Sequence, residues 1–190
     1  MTSLVNSAQA QLLPTVLVLA SGRGARFTAS GGTGHKLQAD LLGKTVLERT
    51  LDAVRASGLR WHLEDAGHPG MGDSIAAAVR ATPDAPGWLV LPGDLPLIRA
   101  QTLLELAQAQ LDAEVLLPVF AGQRGHPVRF GRACAAALAT LCGEQGAARV
   151  VARHAAVHWP VQDVGCVSDI DTLDDLQRAR ILLSTHSDKN

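Results

Sequence analysis

TVLVLASGRGARFTASGGTGHK, Thr15 to Lys36, is the stretch on which the reading of this chain turns. It begins as a short β-branched and leucine run bounded by Pro14, which predicts a fully buried strand over Thr15–Ala20. It ends as a glycine-rich segment carrying Arg23, Arg26 and Lys36. Glycines after a buried first strand let the backbone approach a ligand closely and turn its amides inward. The three cations add charge-assisted contacts suited to phosphate. A mobile, solvated basic loop is the alternative that these residues leave open. The layout is not the dinucleotide fingerprint, and GTGHKL lacks the Gly-Lys-Ser/Thr ending of a Walker A loop.

Working outward, buried strands alternate with amphipathic segments. LLGKTVLERTLDAVRASG places Val46, Leu47, Leu51 and Val54 at helical spacing and stops at Gly58. WHLEDA holds a short strand, and GMGDSIAAAVRA is a glycine turn feeding a helix, with Asp73 or Ser74 near its start. Trp88–Leu91 in GWLVLPGDLPLI is a second buried strand that empties into a loop carrying Asp94. AQTLLELAQAQL reads as a helix, AEVLLPVF as a strand, HPVRF as a short strand and RACAAALATL as a helix. GEQGAARVVAR suggests another helix, VHWPV a strand and DTLDDLQRARILLS a terminal helix. This order predicts a single three-layer α/β/α Rossmann-like domain with a mostly parallel mixed sheet. We expect it to span residues 14–184, between flexible tails at 1–13 and 185–190.

Composition narrows the function classes. With 17 Lys plus Arg against 18 Asp plus Glu, the formal net charge is -1, which argues against a nucleic-acid partner. Cys134, Cys142 and Cys166 are too few and wrongly spaced for a disulfide framework or a zinc knot, and read as packing residues in a reducing compartment. No apolar run reaches membrane-spanning length, and the N-terminus lacks the pattern of a signal peptide. The expectation is a cytoplasmic protein with no membrane partner.

Five ordered motifs follow the opening loop, and together with it they carry a resemblance. LASGRGARF followed by a lysine resembles the N-terminal signature of the nucleotide-sugar-pyrophosphorylase-like nucleotidyltransferases. Among these it is most similar to the molybdenum cofactor cytidylyltransferases and their guanylyltransferase relatives. MGDSIAAAV, LPGDLPLI, GQRGHPVRF, CGEQGAARVV and DIDTLDDL resemble later family motifs in the right order, so the likeness spans Val16 to Arg180. GHPV, GAAR and DIDT favour the cytidylyl branch. Ser21 departs from the family's usual LAAG, and Glu144 stands where it often carries aspartate. Lys36 lies further from Arg26 than the family usually places its lysine, with ASGGTG reading as an insertion.

The resemblance implies transfer of CMP from CTP to a molybdopterin-type cofactor phosphate, with release of pyrophosphate. Guanylyl or cytidylyl transfer to another small phosphorylated acceptor, or a non-catalytic pterin carrier or chaperone, are the alternatives. Leu19, Ala20, Ser21, Gly22, Arg23 and Gly24 would hold base and phosphates, while Arg26 and Lys36 neutralise the triphosphate. Asp94, after a buried strand, suits Mg²⁺ (or Mn²⁺) and the catalytic step, unless it merely caps a turn. Asp169 is the second metal candidate by resemblance, against a reading in which the acidic cluster caps the last helix through Asp171 and Thr172. Ser74 binds nucleotide or acceptor, or caps its helix. His126 and Arg149 are the acceptor candidates, against a turn histidine and an ion-paired arginine. The expected partners are the nucleotide, the pterin phosphate, and a molybdoenzyme or its chaperone.

Overall fold

The computed structural model describes residues 13–22, 24–110 and 113–187. The expected N-terminal tail, apart from residue 13, lies outside them, as do Arg23 and residues 188–190. Strand β1 (Thr15–Leu19) is buried at every position and pairs in parallel with β2 (Trp61–Glu64) on one side and β3 (Gly87–Pro92) on the other. β6 (Val128–Gly131) runs antiparallel to β3 and to β4 (Val115–Phe120). β4 also pairs in parallel with β7 (Val157–Pro160) and antiparallel with the two-residue β5 (Gln123–Arg124). Five of the seven strands therefore point one way and two run against them, in the order β2-β1-β3-β6-β4-β5 with β7 on β4.

The two-residue period of the strands decides which helix covers which face. Leu17, Leu19, Trp88 and Val90 face a layer formed by α3 (Met71–Ala81), α5 (Ala135–Ala139) and α6 (Ala148–Val151). Val16, Val18, Leu89 and Leu91 face α2 (Val46–Ser57) and α4 (Ala100–Gln108). α2 starts on a capping box between Thr45 and Glu48 and ends at Gly58 in the left-handed region. Helices were expected across RACAAALATL and GEQGAARVVAR, and both are shorter. The first splits into a 3-10 turn (Arg132–Cys134) and α5. The second keeps only α6, because Gly143 and Gly146 take positive φ before it.

A third cluster sits at the end of the sheet. Phe27, Leu37, Leu41 and Val46 pack there with Ile170, Leu176 and Ala179. Phe27 belongs to a short helix, α1 (Ala25–Ala29), inside the glycine-rich loop. The last two of these residues belong to α7 (Leu173–Ser187), which continues past residue 184. The opening loop and the terminal helix are thereby fixed to each other beside the C-terminal ends of β1 and β3.

Candidate active site

Gly93 and Asp94 follow β3 and mark the start of the site. The Gly93 amide donates to the Leu19 carbonyl at 2.8 Å, and buried Thr50 on α2 donates its hydroxyl to the Gly93 carbonyl at 3.0 Å. The Asp94 carbonyl in turn accepts the Ile170 amide at 3.0 Å. Asp94 is thus pinned to β1, α2 and the C-terminal segment at once. It lies at the carboxyl edge of the sheet, where open α/β folds place ligands.

The glycine-rich loop returns its lysine to that edge. Gly24 takes φ 64° and opens α1, whose Phe27 ring lies so close to Gly32 that a side chain there has no room. The His35 imidazole accepts the Leu37 amide through Nδ1 at 3.3 Å, which leaves Nε2 to donate to the Gly22 carbonyl. His35 therefore caps the 3-10 turn Lys36–Gln38 and ties the end of the glycine-rich loop back to its start at Gly22. The Lys36 ammonium donates to Asp94 Oδ2 at 2.6 Å and to Asp171 Oδ1 at 2.8 Å. Arg26, 78% exposed, pairs with Asp171 Oδ2 at 2.7 Å.

Three carboxylates share this corner. Burial first, then a hydrogen bond with Asp171 and the nearby charges of Asp171 and Asp94, push the Asp169 carboxyl above its ordinary range. Burial acts the same way on Asp171, but the hydrogen bond and charge of Lys36, with help from Asp169 and Arg26, hold it below. Asp171 is therefore the ionised member of the pair and Asp169 the one that retains a proton most readily. Burial also works against the charge on Lys36, yet Asp94 and Asp171 keep it above its usual value. Asp94 Oδ1 is buried with no hydrogen-bond partner among the described residues.

A cleft of about 620 Å³ opens over this corner. Leu19, Ser21, Gly22, Gly24, Arg26, Lys36, Ser74, Asp94, His126 and Asp169 all line it. Ala20 does not; its amide donates to the Glu64 carbonyl at 2.8 Å, which also accepts the Ser21 hydroxyl at 3.3 Å. Ser74 is buried, and its hydroxyl donates to the Gly70 carbonyl at 3.2 Å. His126 stands near Asp94, and burial pushes its imidazole below its usual range against the pull of Asp94 and the Val90 backbone. Its Nδ1 is buried with no hydrogen-bond partner among the described residues. Arg149 is not among the lining residues; its guanidinium donates to the Thr140 carbonyl at 3.4 Å.

Of the expected cap pair Asp171 and Thr172, Thr172 caps the helix together with Asp175, while the Asp171 carboxylate serves Lys36 and Arg26 instead. Thr172 donates its amide to Asp175 Oδ2 at 2.7 Å, and the Asp175 amide donates to the Thr172 hydroxyl at 3.2 Å. The available signal was the Asp-x-Asp spacing, which turns alternate side chains of an extended segment to one side. Gln123, Arg124 and His68 also line the cleft without having been singled out for it. His68 is held by Glu64 Oε1 at 3.1 Å. Burial pushes the thiols of Cys134 and Cys166 up to about 11, which keeps them protonated near neutral pH. Among the described residues no three His, Cys, Asp or Glu side chains form a ready metal cage.

A mixed sheet between helical layers, with its cleft over the ends of β1 and β3, defines a Rossmannoid nucleotidyltransferase-like domain. The chain belongs to the MobA-like NTP transferase domain family, whose model matches residues 52–158. Rv0371c from Mycobacterium tuberculosis H37Rv has a similar structure, with TM-score 0.73, 27% identity, and coverage of 88% of this chain and 96% of that one. A second structure of that protein is a complex with manganese, at TM-score 0.69 and 24% identity, covering 88% of this chain and 97% of that one. The molybdopterin-guanine dinucleotide biosynthesis protein A of Archaeoglobus fulgidus shares the fold at TM-score 0.65 and 22% identity, covering 90% and 99%. The bifunctional protein GlmU of Xylella fastidiosa (strain 9a5c) is 29% identical over 135 residues, which is 58% of this chain. This chain spans only 29% of the length of that relative.

Proposed function

We propose that this chain transfers CMP from CTP to the phosphate of a molybdopterin-type cofactor and releases pyrophosphate. The observation that carries the reading is Lys36 and Arg26 meeting Asp94 and Asp171 at the floor of the cleft. An acceptor phosphate oxygen attacks the α-phosphorus, the bond to the bridging oxygen of the β-phosphate breaks, and pyrophosphate leaves with that electron pair. Such a transfer needs in-line positioning and opposed charge more than covalent help from the protein. Ser21, Gly22 and Gly24 border the space for the nucleotide, and Arg26 and Lys36 supply the positive charge facing its phosphates. His126, which stands near Asp94, is neutral near pH 7 and orients the acceptor.

The donor set suits a divalent cation. Asp94 carries a buried oxygen with no partner, and Asp171 is ionised beside it. Two carboxylates plus phosphate oxygens are the ligands that Mg²⁺ or Mn²⁺ prefers. Asp94 and Asp171 would hold the ion, with Asp169 bracing Asp171. Bound there, it would withdraw charge from the phosphate oxygens as the transfer proceeds. The manganese complex of the mycobacterial relative supports this choice of metal.

Pyrophosphate release tests the reading, with CTP and GTP offered separately alongside molybdenum-loaded pterin phosphate and Mg²⁺. Turnover with CTP is the expected result. Preference for GTP would move the chain to the guanylyl branch. Turnover only with a different phosphorylated acceptor would remove the pterin. No release with any pair would leave a carrier.

A further inference from the structure

Lys36 already occupies the place that a metal would take. Its ammonium bridges Asp94 and Asp171, and only 11% of its side chain is exposed. Its backbone is fixed on both sides, by His35 before it and by buried Leu37 after it. In the reaction proposed above, the same ammonium faces the triphosphate. Two of its three N–H donors are spent on the carboxylates, so an ammonium that turns its charge fully onto the phosphates gives up that bridge.

We propose that Lys36 is a resident counter-ion that the divalent cation must displace, so that metal and nucleoside triphosphate are taken up together. A metal ion arriving alone meets two carboxylates that are already neutralised in part. Displacing Lys36 would also strand a poorly exposed ammonium without an anion, which is costly. A triphosphate supplies that anion, so Lys36 exchanges carboxylate for phosphate as the metal exchanges water for carboxylate. Linkage then makes the effect reciprocal, with nucleotide raising metal affinity by the same factor as metal raises nucleotide affinity. Arg26 follows the same exchange from its exposed position on Asp171. The second half of this inference rests on the nucleotidyltransferase reading; the first half, displacement of Lys36, does not.

The test uses Mn²⁺ as probe and the full chain without nucleotide, with free Mn²⁺ followed by electron paramagnetic resonance. Lys36→Met should bind Mn²⁺ at least about tenfold more tightly than the parent protein, because a unit positive charge has left the carboxylates. Lys36→Arg keeps the charge and should bind as the parent does. Equal or weaker binding by Lys36→Met would overturn the proposal. Melting of the parent protein gives a reading that needs no variant. Mn²⁺ alone should leave the melting temperature nearly unchanged, while Mn²⁺ with a non-hydrolysable CTP analogue should raise it. Equal stabilisation by Mn²⁺ alone would again overturn it. Tighter Mn²⁺ binding by Lys36→Met without pyrophosphate release from any substrate pair would uphold the displacement and sink the catalytic reading.

Discussion

Asp94 carries more structural duty than its side chain alone suggests, since its carbonyl anchors Ile170 while its carboxylate faces the cleft. Asp94→Asn keeps the backbone bond and removes the charge. We expect pyrophosphate release to fall by about 100-fold or more, with an unchanged circular dichroism spectrum; undiminished turnover would reject Asp94 as principal ligand. Asp169 makes the opposite kind of prediction. Its folded-state pKa is raised, so the folded protein holds this proton more tightly than the unfolded chain, and stability is lost as pH rises through the folded value. Asp169→Asn should therefore raise the metal-free melting temperature near pH 7.5 by roughly 2 °C, and the gain should vanish below about pH 3, where both states are protonated. His126 is depressed instead. The unfolded chain takes a proton below about pH 6.5 while the folded one resists it. Stability should fall as pH drops below that value, and urea titrations of His126→Gln should show a shallower fall. At this scale the sequence identified Asp94, Lys36 and Arg26 because each follows a buried strand or glycine turn. Asp171 was hidden because an aspartate before a threonine is also an ordinary cap signal. Arg149, the other acceptor candidate, stays outside the cleft lining and on the Thr140 carbonyl, because spacing along α6 does not say which way a side chain turns.

Among the elements, α1 is the least visible in the sequence and the most consequential for the site. Five residues between glycines carry no apolar period to read, and only Phe27 betrays the helix once its burial is known. The longer elements were legible because each has its own signal. The Thr45/Glu48 capping box and Gly58 bracket α2, and unbroken apolar runs mark β1 and β3. Phe27 joins α1 to Leu37, Leu41 and α7. Phe27→Ala should cost about 3 kcal/mol in urea unfolding and weaken nucleotide binding further, because Arg26 and Lys36 flank the cavity so formed. Wild-type nucleotide affinity in that variant would detach the third cluster from the site. The β5–β6 turn is held just as tightly. The Gly125 amide donates to Pro118 at 2.9 Å and the His126 amide to Cys166 at 2.8 Å, while Cys166 leaves no space for a side chain on Gly125. That close approach fixes where His126 points.

For the molecule as a whole, the three layers and the mixed sheet were readable from the alternation of elements, and the strand pair from Val115 to Phe130, the candidate antiparallel element, is where β6 runs against β4. Its antiparallel pairing with β3 as well has no sequence signature beyond burial, because a reversed strand's pattern matches a parallel neighbour's equally well. The cleft unites the loop after β1, the loop after β3 and the segment before α7, so ligand binding should stabilise the entire fold. A saturating mixture of CTP analogue and Mn²⁺, at about 100 times the dissociation constant, should add about 2.7 kcal/mol. Scanning calorimetry should record a single transition displaced upward; a split transition would show that only the loop responds. The bridge from Lys36 to Asp171 spans 135 positions of sequence, and this has a consequence for how the protein is made. All seven strands are complete at Pro160, yet the acidic wall arrives only with Asp169 and Asp171. A nascent chain halted after its last strand holds the whole sheet and Asp94, but not the second carboxylate that Lys36 bridges. The site is therefore completed only once residue 171 has been made, well after the sheet that carries it.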